Sequence, residues 1–418
     1  MQTAPTGSGS LASTPRRHAA WTALAAPVTF SLLLPRHAAA HGLHLQASGG
    51  SGGPPGGSRG GGGGGGWGSS GGNGSSAALS RRLPQEAFQL AAAKKQPVTL
   101  MLASFAVTRK AYGKISKMFM REYEEQVGQP VRFRLSFAGS GTQARAVMDG
   151  LPADIVALAL PLDIIKISER GLIRPDWATR FPNKSIVVES VVSIVVRKGN
   201  PLNIQGWDDL TREDVNVITA NPKTAGVARW IFLALWGHRA WNKGEKAAKE
   251  FVTKVFDRVE VQPRDAREAS DVFYKQGKGD ALLTYENEAV FTNLVVSPNE
   301  KLPCIVPDNN VRIQCPVAIV DANVDPQPPE VKQTATAFLD YLYKAPAQHE
   351  FAACGFRSAL PEVMKDSGLP SVRGLWTVEG KLGTWDKVQK KFFDDEGILS
   401  EIQRDVSQRK LAAMLQRR

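Results

Sequence analysis

The chain has 418 residues and carries 52 Lys+Arg against 40 Asp+Glu, a formal net charge of +12; that length allows two or three domains. The surplus is uneven. Six arginines (Arg16, Arg17, Arg36, Arg59, Arg81, Arg82) precede Glu86, the first acidic residue, and the remainder holds 46 basic against 40 acidic side chains, which argues against a nucleic-acid binder with a basic stripe in its folded part.

Residues 1–85 are acid-free, and 20 of the 39 glycines lie in them. The tract from Gly49 to Gly74 cannot bury enough apolar surface to offset its ordering entropy and is expected to be disordered. An Arg- and Ser-rich, acid-poor composition over the whole stretch is that of an organellar transit peptide. A secretory signal is the alternative: Arg16-Arg17, an apolar run, then Ala38-Ala39-Ala40 as a cleavage site. The apolar run, Ala19 to Leu34, is broken by Pro27, Thr22, Thr29 and Ser31, and is too short for a bilayer span of about 20 residues. Cys304, Cys315 and Cys354 show no CxxC spacing, which argues against a zinc site or a disulfide scaffold. Cys304 and Cys315 are read as free thiols.

In chain order, Pro97 to Ser104 reads as a buried strand. Tyr112, Ile115, Phe119, Tyr123 and Val127 then recur at three and four, predicting an amphipathic helix from Arg109 closed by Gly128. Val131 to Phe137 alternates as a strand. Ser140-Gly-Thr-Gln143 is a capping-box pattern opening a helix through Met148. Asp154 to Leu160 is the next strand, and Pro161 opens another helix. After Phe181-Pro-Asn183 the pattern restarts with an apolar strand region, Ile186 to Val196, and strands at Val215–Thr219, Val259–Val261 and Asp280–Tyr285. Helices are expected at Arg229–Trp236, Phe251–Phe256, Ala269–Tyr274, Val331–Lys344 and Thr384–Phe393. Strands alternating with helices argue for parallel sheets in βαβ units, and two sets of them predict an α/β chain of two lobes. The expected division is 97–185 for the first lobe, 186–284 for the second, 285–402 returning to the first, and 403–418 as a basic tail.

Three strand-to-helix turns carry small residues: Ser140-Gly-Thr142, Thr224-Ala-Gly226 and Asp265-Ala266. The first N–H groups of a helix have no partner inside it and sit at the positive end of its dipole. Small side chains let a phosphate- or sulfate-sized anion reach them. GxxxxGK[ST] is absent. Gly139-Ser-Gly-Thr-Gln-Ala144 fits a loose GxGxxA without the acidic residue a dinucleotide site needs, so it is an anion turn. With only His238 and His349 beyond the leader, a metal site or a His-based triad is not expected. His238 is read as a surface residue capping the end of a helix, and Glu286 and Glu288 as a solvated helix start. Arg229, Arg264 and Arg267 either clamp an oxyanion or pair with carboxylates. Trp207, Trp230, Trp236 and Trp241 are assigned to a core.

These residues, with Ala103-Ser-Phe-Ala-Val-Thr-Arg109, Phe137-Ala-Gly-Ser-Gly141, Gly150-Leu-Pro-Ala-Asp154, Val196-Arg-Lys-Gly-Asn-Pro201, Asn221 to Trp230, Tyr285-Glu-Asn-Glu-Ala289 and Gly383-Thr-Trp385, resemble the sulfate/thiosulfate-binding proteins of bacterial ABC importers. The resemblance runs from about residue 97 to Ile402. With the acid-free leader it is closest to the sulfate-binding components of green-algal chloroplast permeases. It implies a type II periplasmic-binding-protein-like fold: two lobes, each a mainly parallel sheet flanked by helices, with the ligand cleft between them. It implies one dehydrated sulfate or thiosulfate held by neutral donors, with no cofactor and no metal. Carried over by position, the donors are the backbone N–H groups of Ala106, Ser140 (with its hydroxyl), Gly226, Val227 and Ala266, and the phenol of Tyr285, which stands where the family has an indole. Ala225 stands where the family has a serine, and Val227 where it has a second glycine. Thr224, Arg229 and Arg267 would lie just behind the site.

The expected function is a non-enzymatic, monomeric sulfate receptor for ABC permease subunits and their ATPase. The expected location is the chloroplast, at the envelope, with a periplasmic or secreted protein as the alternative. A porphobilinogen-deaminase-like enzyme on the same fold would need a cofactor-bearing cysteine that none of the three supplies. A ligand-sensing domain lacks any helix-turn-helix before it.

Overall fold

A computed structural model describes residues 95–416; the expected leader, residues 1–85, lies outside the described residues. Strand β1 (Val98–Phe105) runs through a 3₁₀ turn, Ala106–Thr108, into helix α1 (Arg109–Val127). Helix α1 buries Ala111, Tyr112, Ile115, Ser116 and Phe119, and Gly128 ends it in the left-handed region at φ 65°, where glycine carries no Cβ penalty. There follow β2 (Val131–Ala138), α2 (Ser140–Met148), β3 (Ile155–Ala157), α3 (Pro161–Glu169), β4 (Ile186–Ser190), β5 (Val192–Val196) and β6 (Val217–Ile218). Next are α4 (Gly226–Asp257), β7 (Val259–Val261), α5 (Ala266–Tyr274), β8 (Ala281–Tyr285), α6 (Glu286–Val295) and β9 (Cys304–Ile305). The main elements of the remainder are β10 (Ile313–Ile319), α7 (Pro329–Tyr341), β11 (Arg357–Ser358) and α8 (Ile398–Gln416).

The strands form two sheets, in the orders β11-β4-β10-β3-β1-β2 and β7-β6-β8-β5-β9. Strand β1 lies parallel to β2 from Val98 opposite Val131 to Phe105 opposite Ala138, and parallel to β3 on its other edge. In the second sheet β6 is parallel to both β7 and β8. Every pairing made by β4, β5, β9, β10 and β11 is antiparallel. The sheets are therefore mixed rather than mainly parallel, because the strands that carry the chain between sheets return in the opposite sense.

The apolar strand region 186–196 divides into two strands. Strand β4 closes on the first sheet and β5 belongs to the second, so the chain changes sheet at Val191 instead of at residue 186. It returns between Ile305 and Ile313, later than the expected residue 285. Asn310, fully buried, ties the two passages together. Its Oδ1 accepts from the Val192 N–H at 3.2 Å, and its Nδ2 donates to Val192 O at 2.8 Å and Pro307 O at 3.2 Å.

Four further expectations change. The stretch labelled α4 is two helical segments, as expected, but the first runs past Trp236 to a break at Gly244 (φ 82°, ψ 171°) and the second ends at Asp257. His238 thus lies inside a helix, with Nε2 2.9 Å from Asp208 Oδ1. Trp207, Trp230 and Trp236 are buried as expected, but Trp241 is 39 % exposed. Residues 403–416 are no separate tail; they complete α8, which buries Leu399, Ile402 and Val406. Among the described residues no helix is long and apolar enough to cross a membrane.

Candidate functional site

The three small-residue turns converge. Helix α2 starts at Ser140 in the first sheet's layer, and α4 and α5 start at Gly226 and Ala266 in the second. Their first residues line one small cavity of about 10 Å³ with Phe105, Ala106, Val107, Gly139, Ala225, Val227, Asp265 and Tyr285. All six wall residues carried over by resemblance are therefore brought together. The N–H groups of Ser140, Gly226, Val227 and Ala266 have no acceptor among the described residues, as first-turn groups have none within their helix.

The two sheets' turns touch here. A Cβ on Gly139 would sit 2.4 Å from Thr224 O, and one on Gly226 would sit 2.7 Å from the Ala159 methyl. Gly139 has φ −59° and ψ 144°, open to any residue, so the close approach alone requires glycine. Across the same contact Trp230 Nε1 donates to Ala159 O at 2.8 Å.

Ser140 is placed differently from the expected cap. The cap residue is Gly139, and no side chain caps the helix. The Ser140 hydroxyl donates to Asp163 Oδ2 at 2.6 Å and accepts from the Ala159 N–H at 3.0 Å. A buried carboxylate on α3 takes the hydroxyl proton, and the Ala159 N–H takes the oxygen that a capping box would have turned to its own helix. Gln143, the box's fourth residue, instead sends its side-chain amide to Ser104 O at 3.2 Å and Ser136 Oγ at 3.1 Å. At Ser140 the N–H is the donor left for the cavity.

Behind the wall stand charged pairs. Arg229 Nη1 lies 2.6 Å from Asp163 Oδ1, both buried, and its Nε donates to Pro222 O at 3.1 Å. Arg267 lies 3.0 Å from Glu288, and Arg264 lies 3.3 Å from Glu268. All three arginines therefore take the carboxylate-pairing alternative. Thr224 Oγ1 donates to Arg264 O at 2.6 Å, so it does not replace the hydroxyl missing at Ala225. Instead it ties the turn before α4 to the turn before α5.

Glu286 and Glu288 are buried, not a solvated helix start. Glu286 receives both Nε and Nη2 of Arg357, at 2.7 and 2.9 Å. Glu288 has no aligned hydrogen bond on either oxygen despite its nearness to Arg267. Burial pushes its carboxyl up to about 7, with Arg267 pulling against that rise. Tyr285, buried against Phe105 at 5.9 Å between ring centroids, makes no hydrogen bond through its hydroxyl among the described residues. Desolvation holds its pKa well above the usual phenol value, so it keeps its proton and can donate. Asp265 is the one acidic side chain at the wall, and its Oδ1 is turned back to accept from the Glu268 N–H at 2.9 Å.

Asp163 escaped the sequence reading, since an acid in the first turn of a Pro-led helix is the ordinary dipole preference. The cysteines are not reactive centres: Cys304 and Cys315 are free, and burial pushes the Cys304 thiol up to about 12 and the Cys315 thiol higher still.

Two α/β lobes joined by two passages, with a small donor-lined cavity where their helix starts meet, are the architecture of a solute-binding protein. Residues 100–357 match the family model described as bacterial extracellular solute-binding protein. The sulfate-binding protein of Synechococcus elongatus is 45% identical over 318 residues, which are 75% of this chain and 89% of that one. The thiosulfate-binding protein of Pseudomonas aeruginosa is 35% identical over 316 residues, 75% of this chain and 93% of its own. The solved sulfate-binding protein SubI from Mycobacterium tuberculosis superposes with a TM-score of 0.63 at 33% identity, covering 71% of this chain and all of that one. The chain belongs to the sulfate-binding protein family of bacterial extracellular solute-binding proteins.

Proposed function

We propose that this chain is the substrate-binding component of an ABC-type sulfate and thiosulfate importer. It closes its two lobes over one oxyanion and delivers it to membrane permease subunits driven by an ATPase. The observation that carries this reading is the convergence of helix-start N–H groups from both sheets, free of internal acceptors, on one small cavity. Those of Ala106, Ser140, Gly226, Val227 and Ala266, with the Tyr285 phenol, hold the anion without a counter-cation. Thr224, Arg229 and Arg267 support the wall from behind. A dianion among several fixed dipoles exchanges its water for hydrogen bonds of the charge-assisted kind, each worth about 1.5–3 kcal/mol. The receptor acts as a monomer, since each chain supplies a whole site.

The acid-free leader adds a location: residues 1–85 direct the protein to a plastid, where it serves sulfate uptake at the envelope. The alternative, a periplasmic or secreted receptor, agrees with the relatives' bacterial origin. A reporter fused to residues 1–85 separates them, entering plastids on the first reading and the secretory route on the second. The binding function itself is tested by calorimetric titration of the purified protein with sulfate. One-to-one binding is expected, and absence of binding would contradict the proposal.

A further inference from the structure

Seven large apolar side chains stand exposed among the described residues, and three share the end of α8: Leu411, Met414 and Leu415, at 59, 65 and 63 %. They do not continue the stripe that anchors the helix. Leu399, Ile402 and Val406 face the body, whereas Leu411, Met414 and Leu415 lie roughly a third of a turn round from that stripe at 3.6 residues per turn. Arg409 pairs with Asp257 at 2.8 Å, and Lys410 donates to Val259 O at 2.7 Å. Beyond this pin every described residue, 411–416, is exposed. The surrounding sequence is basic: Arg404, Arg409, Lys410, Arg417 and Arg418 against Asp405 alone between residues 403 and 418. The segment lies past Ile402, and none of its residues lines the oxyanion cavity.

We infer that the end of α8 is a docking surface for an anionic lipid bilayer. The leucines and methionine would enter the headgroup boundary, and Arg404, on the same helix face at 3.6 residues per turn, would meet lipid phosphates. The basic charge of residues 417 and 418 would add attraction, while Arg409 and Lys410 stay engaged with the body. An apolar patch edged by Lys and Arg is the composition of a helix that lies on a membrane rather than across it. A second copy of the chain fits less well as the occupant, because it would bring two strongly basic segments together. The inference stands independently of the oxyanion site.

The test is co-sedimentation of the full chain with vesicles of phosphatidylcholine mixed with phosphatidylglycerol, and with vesicles of phosphatidylcholine alone. The chain is expected to bind the mixed vesicles, less at high salt, and the neutral ones much more weakly. Leu411→Ser, Met414→Ser and Leu415→Ser together should weaken binding about tenfold or more. The leader's arginines are common to both chains and cancel in that comparison. An unchanged unfolding temperature and unchanged sulfate titration show that the variant is folded. Equal vesicle binding by the two chains, or no binding by the original, overturns the inference. So does a dimer in solution that the three substitutions abolish, since a second copy would then be the occupant.

Discussion

The wall of the cavity and the layer directly behind it are built from opposite materials. The wall offers backbone N–H groups and one phenol, while its single acidic side chain is turned away to cap a helix. The layer behind holds ionisable pairs, Arg229 with Asp163 and Arg267 with Glu288, each largely or wholly shielded from water. The lesson is one of placement. Charges neutralised by each other one layer back can hold turns in position without fixing the charge of the ligand. Uncharged donors in front supply hydrogen bonds in fixed directions at no protonation cost.

If the wall carries affinity and the layer behind carries stability, substitutions should sort accordingly. The largest effect is expected from Gly139→Ala. Its methyl would meet Thr224 O at 2.4 Å when the lobes are together, removing Gly226, Val227, Ala266 and Tyr285 from the anion at once. Sulfate affinity should fall by more than about a hundredfold. The unfolding temperature of the ligand-free protein should hardly move, because residue 139's backbone suits alanine. A variant that binds normally would show that the turns do not close on the ligand.

Tyr285→Phe keeps the ring packed on Phe105 and removes only the hydroxyl. A lost hydrogen bond to a charged group predicts sulfate binding weaker by about ten- to a hundredfold, read by calorimetry. Ser140→Ala crosses the boundary between the two layers. It deprives Asp163 of a donor and should lower stability by about 1–3 kcal/mol in denaturant titrations. Because the hydroxyl faces Asp163, sulfate affinity should change by less than about tenfold. A larger loss would mean that the hydroxyl turns to the anion on binding.

The smallest effect concerns Glu288. Burial raises its carboxyl from an ordinary 4.5 to about 7. Between those values the folded chain keeps a proton that the unfolded chain has lost, so stability falls as pH rises through that window. Glu288→Gln should flatten this fall and make the chain more stable than the original above the window. Parallel stability–pH curves for the two proteins would contradict the assignment.

Much of this was legible in the sequence where a local rule acts alone. The three- and four-residue recurrence in α1 and its closing glycine marked that helix to the residue. The three turns that line the cavity stood out by their small residues before any of them could be placed in space. Long-range features were not legible. Ile186 to Val196 is almost unbroken apolar sequence, and nothing local shows that Val191 is where one sheet ends and another begins. The Ser140–Asp163 bond spans 23 positions, so the partners that draw the hydroxyl away from a local cap, Asp163 and the Ala159 N–H, lie beyond a four-residue pattern. Glu286 and Glu288 look like a helix start in water, yet their helix is packed so that both are buried, each with an arginine brought from elsewhere in the chain.

The central claim is that uncharged donors alone select the anion, and the direct measurement is paired calorimetric titration with sulfate and phosphate at neutral pH. Phosphate keeps a proton that needs an acceptor. A donor wall offers none, and an unpaired buried polar group costs about 1–3 kcal/mol. The account predicts one sulfate per chain and phosphate binding weaker by about tenfold or more; equal affinity for the two anions would contradict it.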